Sequence, residues 1–357
     1  MVTGKGGTGK TTVAAALALA LAAGGRRVLL CEVEGRQGIA RLFDVDPLPY
    51  EEILIARAPA GSGGGAESGG GAEAAGAGRV GQVYGLHIDP EAALLDYLRL
   101  YYRLGPAGAV LDRFGVVEFA TTIAPGVRDV LLTGKVYEAA KPDRRGGSRS
   151  YDAVVLDAPP TGRIAQFLGV TGELSGLAKV GPVRSQADAV AALFASPATA
   201  VHFVTLPEEM PVQETIEGVA QLRAAGLAVG SVILNQVRPE VLDDADLAAL
   251  LDGSFDRTEL ERELGAAGVT ASTKLLDTLI GEGRAHAVRR RLEAGERAEL
   301  DEALAGLNLG RAELPFLTRG VDHTRLPELA ALLARDLLLA PADEARAEQA
   351  RAEGAQG

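Results

Sequence analysis

The string GKGGTGKT, Gly4 to Thr11, constrains this chain more than any other stretch. It satisfies G-x-x-x-x-G-K-[ST], and an apolar run from Val13 to Ala23 follows almost at once. A glycine-rich loop that opens into a buried helix is the phosphate-binding turn of a strand–loop–helix unit. Gly4, Gly6, Gly7 and Gly9, with Thr8 among them, let successive backbone N–H groups converge on phosphates. The helix N-terminus adds partial positive charge. Lys10 is expected to reach the β- and γ-phosphates, Thr11 to offer its hydroxyl to Mg2+, and Thr12 to complete the first turn. ATP and Mg2+ are the expected cofactors. Lys5 is additional: two ammonium groups in one tight turn repel each other unless an anion lies between them.

Such a loop follows a central strand of about five or six residues, yet only Met1, Val2 and Thr3 precede Gly4. The natural start is therefore expected upstream, with a short apolar run encoded in frame. Residues 1–25 also imitate a secretory signal, with two lysines ahead of the apolar run. Glycines at phosphate-loop spacing favour the buried helix. No other apolar run reaches the ~18–20 residues of a membrane span.

Beyond the loop, short apolar runs alternate with helical patterns, which predicts stacked βαβ units. The expected strands are Val28–Glu32, Val83–Ile88, Ala153–Asp157, Ala200–Thr205, Ser231–Asn235 and Leu314–Leu317. Helices are expected over about Lys10–Ala23 and Pro211–Ala225. The fold class is thus α/β: a mostly parallel, doubly wound P-loop NTPase sheet with helices on both faces and a helical insertion. One domain spans 1–357. Within it, residues 58–78 (APAGSGGGAESGGGAEAAGAG) lack core-forming side chains and are expected to be a disordered loop. The insertion covers 90–150, with apolar stripes at 92–104 and 116–140 and Pro125 as a helix start. A second helical stretch covers 240–310, and 341–357 is expected to be a flexible tail.

Composition narrows the function. A formal net charge of −12 argues against a nucleic-acid binder. Cys31 is the single cysteine, so no intrachain disulfide, CxxC pair or cysteine-rich metal site can form. The four histidines never fall within a turn of each other. A cytoplasmic protein without a membrane span is expected.

With Lys5 included, the string GKGGTGKTT resembles the deviant phosphate loop of the ArsA-type ATPases. These are relatives of the septum-site, partition and nitrogenase-iron-protein ATPases. The resemblance implies a dimer in which the early lysine, Lys5, reaches the partner's nucleotide and acts as an arginine finger does. The family's next switch carries an aspartate that orients the attacking water. Here CEVEGRQGIARLF (31–43) places Glu34 at that position. A glutamate is one methylene longer, and a misplacement of about 1 Å can cost about 100-fold in rate. Glu34 is accordingly either the water-positioning base or the mark of a slow site, and Glu32 is expected to point away from it. DAPPTGR (157–163) resembles the second switch. It implies that Asp157 holds Mg2+ together with Thr11, and that Thr161 and Gly162 respond to the γ-phosphate. GSVILNQVRPE (230–240) resembles the strand ending in Asn-Gln, which implies that Asn235 pairs with adenine. LPFLTRGVD (314–322) resembles the adenine-flanking loop, with Pro315 and Phe316 on the base. Gln213 and Glu214 line either the dimer interface or a solvated helix face. The insertion and the 157–168 run are most similar to an actinobacterial branch described as anion-transporting ATPases, whose members tend to occur as paired paralogues.

The departures exclude some members. A single cysteine rules out metalloid binding of the arsenite-pump kind and the zinc clasp of the tail-anchored-protein targeting members. Two methionines, Met1 and Met210, do not make a methionine-rich groove. The resemblance therefore implies a Mg-dependent ATPase switch, with Lys5, Lys10 and Glu34 in catalysis. It would work as a homodimer or with a paralogue, and drive or regulate a transport, membrane-protein or metabolic partner. Two alternatives stand beside it: a weakly hydrolysing regulatory half of a heterodimer, and a partition or positioning ATPase.

Overall fold

Strand β2 (Arg27–Glu32) contains the logic of the architecture. Val28, Leu29, Leu30 and Cys31 are all fully buried. Val28 and Leu30 join one apolar cluster, Leu29 and Cys31 the other. A strand buried on both sides needs helices on both faces, which parallel βαβ connections provide. The computed structural model describes residues 1–33, 35–58, 79–102, 125–141, 150–169 and 182–339. The expected loop from residue 59 on, the insertion outside 90–102 and 125–141, and the tail lie outside the described residues, as does Glu34.

Among the described residues, eight strands form one sheet. In chain order they are β1 (Val2–Gly4), β2, β3 (Ile53–Ala58), β4 (Gly81–His87), β5 (Ala153–Asp157), β6 (Val201–Thr205), β7 (Val229–Val237) and β8 (Gly310–Pro315). Their spatial order is β3-β4-β2-β5-β1-β6-β7-β8. Every pair is parallel except β3 with β4. One face carries α1 (Lys10–Ala22), α2 (Gly38–Phe43) and α11 (Leu326–Leu333). The other carries α3 (Pro90–Tyr102), α4 (Pro125–Ala140), α5 (Thr161–Phe167), α6 (Pro182–Phe194), α7 (Glu209–Ala224) and the long α10 (Thr273–Ala303). Between β7 and α10 lie α8 (Asp244–Asp252) and α9 (Arg257–Ala266). Helix α1 is alanine-rich, and Ala14, Ala15, Ala16 and Ala18 are fully buried. Small side chains let it lie close to the sheet while α11 covers its back.

The two edge strands depart from expectation. β3 was not expected, and β8 runs over Gly310–Pro315 rather than Leu314–Leu317. Edge strands need one covered face at most, so polar residues interrupt their apolar pattern. In β8, Ala312 and Leu314 are buried while Arg311 and Glu313 are exposed. The expected helical stretch over 240–310 divides into three helices. Asp243, Asp256 and Ser272 each accept a hydrogen bond from a backbone N–H of the following helix.

β1 lies between β5 and β6, with Val2 fully buried. Ala158 N donates to Val2 O at 2.9 Å, and His202 N donates to Met1 O at 2.8 Å. The α-amino group of Met1 donates to Ala200 O at 2.8 Å.

His202 sits beside this strand, with Nδ1 2.6 Å from Ser231 Oγ. Burial, and to a lesser extent the nearby α-ammonium group, lowers its pKa to about 3. The unfolded chain takes up this proton from about pH 6.5 downward, whereas the folded chain does not until about pH 3. Stability is therefore lost as pH falls, at about 1.4 kcal/mol per unit. Urea unfolding at pH 7 and pH 5 should show a loss about 2 kcal/mol larger for the wild type than for His202→Gln.

Candidate functional site

The α1-facing rows of the strands end in polar residues at the carboxyl edge of the sheet. Val28 and Leu30 lead to Glu32, Val155 leads to Asp157, and Ile233 leads to Asn235. All three polar residues are buried. Ligands of open parallel sheets bind outside this edge, beside the loop that follows the first strand.

The phosphate loop leaves β1 in contact with its neighbours. A Cβ on Gly4 would lie 2.1 Å from Val204 O. Gly9 has φ +89°, and a Cβ there would lie 2.4 Å from Asn235 Nδ2. Only glycine fits either position. Asn235 Nδ2 donates to Thr8 O at 2.8 Å, and its Oδ1 accepts from Gln236 N at 2.9 Å. Asn235 thus braces the phosphate loop, a role that its reading as an adenine contact does not include. Thr8 folds back on the loop, with N and Oγ1 both donating to Lys5 O. Helix α1 begins at Lys10 with no side-chain cap and no acidic residue in its first turn. Its leading N–H groups are oriented as an anion would need them.

Thr11 Oγ1 donates to Asp157 Oδ2 at 2.6 Å, so the two expected Mg2+ residues meet. Glu32 is the residue that sequence reasoning set aside wrongly. Residues two apart on a strand share a face, so Glu32 follows Val28 and Leu30 toward α1. It pairs in register with Asp157. Its Oε1 accepts from Gly38 N at 3.0 Å, and Oε2 is buried without a hydrogen bond. A Cβ on Gly38 would come within 3.0 Å of Thr11 Cγ2, which puts the start of α2 against the same threonine. Correct use of the period-two rule would have found Glu32. The donor set suits Mg2+, which binds through one or two carboxylates plus phosphate oxygens and keeps several waters.

Lys5 is held outside this carboxylate group. Its Nζ lies 2.6 Å from Glu214 Oε1 on α7. Glu214 Oε2 accepts from Thr161 Oγ1 at 2.8 Å. Burial alone would raise the pKa of Glu214. Hydrogen bonds from Lys5 and Thr161, and the charge of Lys5, hold it below the usual glutamate range. The Thr161 loop is tied to β1 as well, since Thr3 Oγ1 donates to Pro159 O at 2.7 Å.

At the other end of the site, Pro315 closes β8 and Phe316 N donates to Val237 O at 2.8 Å. The Arg238 guanidinium lies 5.2 Å from the Phe316 ring centroid, and Arg238 Nε is 2.9 Å from Glu293 Oε1 of α10. Phe316 is therefore clamped at the edge that Asn235 shares. Cys31 is a core residue on the opposite face, its thiol pKa pushed up by burial. Among the described residues, no helix is long and apolar enough to cross a membrane.

Residues 1–252 match the CobQ/CobB/MinD/ParA nucleotide binding domain. The chain is 50% identical to ATPase BagA of Mycobacterium tuberculosis over 335 residues, 94% of this chain and 92% of that protein. It is 24% identical to ATPase GET3 of Kluyveromyces lactis, covering 69% of this chain and 73% of that protein. The arsenical pump-driving ATPase of Escherichia coli is 25% identical, covering 77% of this chain and 48% of that protein. The chain belongs to the CobQ/CobB/MinD/ParA nucleotide-binding family and is a P-loop ATPase of the kind that includes the ArsA and GET3 ATPases.

Proposed function

We propose that this chain is a Mg-dependent dimeric switch ATPase, in which ATP binding and hydrolysis set the conformation presented to a transport or regulatory partner. The observation that carries the reading is the Lys5–Glu214–Thr161 chain of contacts. One carboxylate holds both the additional lysine and the threonine of the second switch. Both Lys5 and Glu214 are about a third exposed, 30% and 32%. Lys5 can therefore be released to a partner subunit without unpacking the core, and its release leaves the Glu214 carboxylate bonded to Thr161 alone.

Bound ATP·Mg supplies the reacting γ-phosphoryl group and the metal charge that offsets its oxygens. The chain supplies position and charge. Gly4, Gly6, Gly7, Thr8, Gly9 and Thr12 shape the backbone cradle, and Lys10 places a cation at it. Thr11 and Asp157 would hold the metal, with Glu32 beside them as a further carboxylate. Glu34 positions the attacking water, and Lys5 adds charge from across the dimer. Asn235, Pro315 and Phe316 define the side on which the base rests. The pairing is with a second copy or with a paralogue.

Activity in trans tests this arrangement. Lys10→Ala should abolish hydrolysis, and Lys5→Ala should bind ATP but turn over about 1,000-fold more slowly, in line with loss of a charge-stabilising finger. Mixing the two inactive variants should restore up to about a quarter of wild-type activity, the share expected for random pairing in a two-fold dimer. Failure of the mixture to recover, with both variants folded and Lys5→Ala binding ATP, refutes action across a homodimer. Recovery only with a paralogous chain assigns this protein to one half of a heterodimer.

Two further outcomes follow from the contacts. Glu214→Gln weakens the hold on Lys5 and Thr161. It should strengthen ATP-dependent dimerisation several-fold by analytical ultracentrifugation, since the unpaired state loses a contact that competes with assembly. Glu32→Gln should raise the Mg2+ concentration for half-maximal hydrolysis by about 10–100-fold, the usual cost of removing a partner of the metal's ligands.

A further inference from the structure

A cavity of about 130 Å3 lies behind the second switch. Three parts of the chain build it: the segment after β2, the insertion helix α4, and the switch with its helix α5. Arg36, Arg128 and Arg163 stand around its mouth, all exposed. Val33, Leu132 and Phe167 are buried and form its apolar side. Within it sits Asp129, 1% exposed, with neither carboxylate oxygen hydrogen-bonded. Its nearest cation, Arg163 Nη2, is 3.6 Å from Oδ1, close enough for charge attraction and too far for a hydrogen bond.

Two imbalances coincide here. Among the described residues that line it, three guanidinium groups face one carboxylate, an excess of positive charge. The carboxylate has lone pairs that no donor meets, which is costly for a buried group. Water would ease the second imbalance and not the first. An anion without a donor would ease the first and worsen the second. A ligand that carries both an oxyanion head and a hydroxyl satisfies both, the head on the arginines and the hydroxyl on Asp129. Size sets a limit as well: a cavity of about 150 Å3 accommodates benzene, so about six heavy atoms fit.

We propose that this cavity is a binding site for a small hydroxyl-bearing oxyanion, a hydroxycarboxylate or a protonated phosphate, distinct from the phosphate loop. Its walls belong to the segment after β2, to α4 and to the second switch with α5, so an occupant bridges them and, in the proposed ATPase cycle, prefers one switch state. Arg163 is two residues from Thr161, the threonine that Glu214 holds. The bound anion therefore biases the same helix that the Lys5 latch controls. Burial raises the pKa of Asp129, against the pull of Arg163 and Arg128.

Calorimetric titration of the full chain saturated with Mg·ADP, which fills the phosphate loop except for its γ-phosphate position, tests the site. The probes are lactate and inorganic phosphate, each with a hydroxyl, against propionate and sulfate, which lack one, and glycerol, which lacks the charge. Lactate, phosphate or both should bind once per chain with Kd below about 1 mM. Propionate and sulfate should bind at least about tenfold more weakly, and glycerol not detectably, since an unmet acceptor or an unneutralised cation cluster remains. Whichever of lactate and phosphate binds identifies the head group. Arg128→Gln changes an exposed residue, and a thermal melt verifies that it folds; it should weaken binding at least about tenfold. The proposal fails if neither lactate nor phosphate binds by about 10 mM, if glycerol binds as tightly, or if Arg128→Gln binds as well as wild type. Binding lost in Lys10→Ala and kept in Arg128→Gln would place the anion in the phosphate loop and also overturn it. The coupling to the switch rests on the proposed ATPase cycle, whereas the binding assay does not. The effect of lactate or phosphate on ATP turnover is therefore read separately, in wild type and Arg128→Gln.

Discussion

The three-residue strand β1 is the constraint on which the rest of the site depends. It is bonded on one side to the switch strand and on the other to β6, and Thr3 adds a third tie to Pro159. The chain then leaves the sheet so close to Val204 that only glycine can stand at position 4. From there two bonds fasten the loop to further strands, Thr8 to β7 through Asn235 and Thr11 to β5 through Asp157, while Glu214 holds Lys5 to helix α7. Each such bond contributes only about 0.5–1.5 kcal/mol net. Their value is positional, since together they hold a glycine-rich segment in one shape. An unbraced loop of this composition would have to be ordered each time an anion arrived, and that entropy would be subtracted from binding.

Charge repulsion within the loop is resolved locally. Two lysines five residues apart need a counter-charge, and for Lys5 the protein provides it in Glu214. A bond at 2.6 Å between groups about a third exposed is a modest interaction, because water competes for both partners. That modesty suits a switch. A deeply buried pair would cost several kcal/mol to separate, more than one additional phosphate contact can offset. Thr161 shares the same carboxylate, so the position of the lysine and the position of the switch are not independent variables.

The central strands were legible because their chemistry is uniform. A strand buried on both faces reads as an unbroken apolar run, and β2, β5, β6 and β7 were placed within one or two residues. The phosphate loop was legible because so few residue types can make it. The edge strands were not, since β8 alternates with exposed Arg311 and Glu313 and β3 is short and mixed. Side-chain roles that depend on register were harder still. Glu32 was misjudged by one step of the alternation. The Asn235 brace joins residues 227 positions apart, and the Lys5–Glu214 pair spans 209, so no local pattern announces either.

Helix α5 links these separate observations. It has seven residues and packs against α4, α7 and β1. Thr161 at its first position faces the Glu214 carboxylate, and Arg163 two residues on faces Asp129. A short helix cannot bend between two such contacts, so displacement of one end moves the other. A group in the α4 cavity that displaces the backbone at Arg163 therefore shifts Thr161 with respect to Glu214, and with it the hold on Lys5. Linkage makes the relation mutual: if the nucleotide state sets the affinity of the cavity, occupancy of the cavity sets the affinity for nucleotide by the same factor. The two sites have no lining residue in common. What they share is a helix too short to absorb the difference.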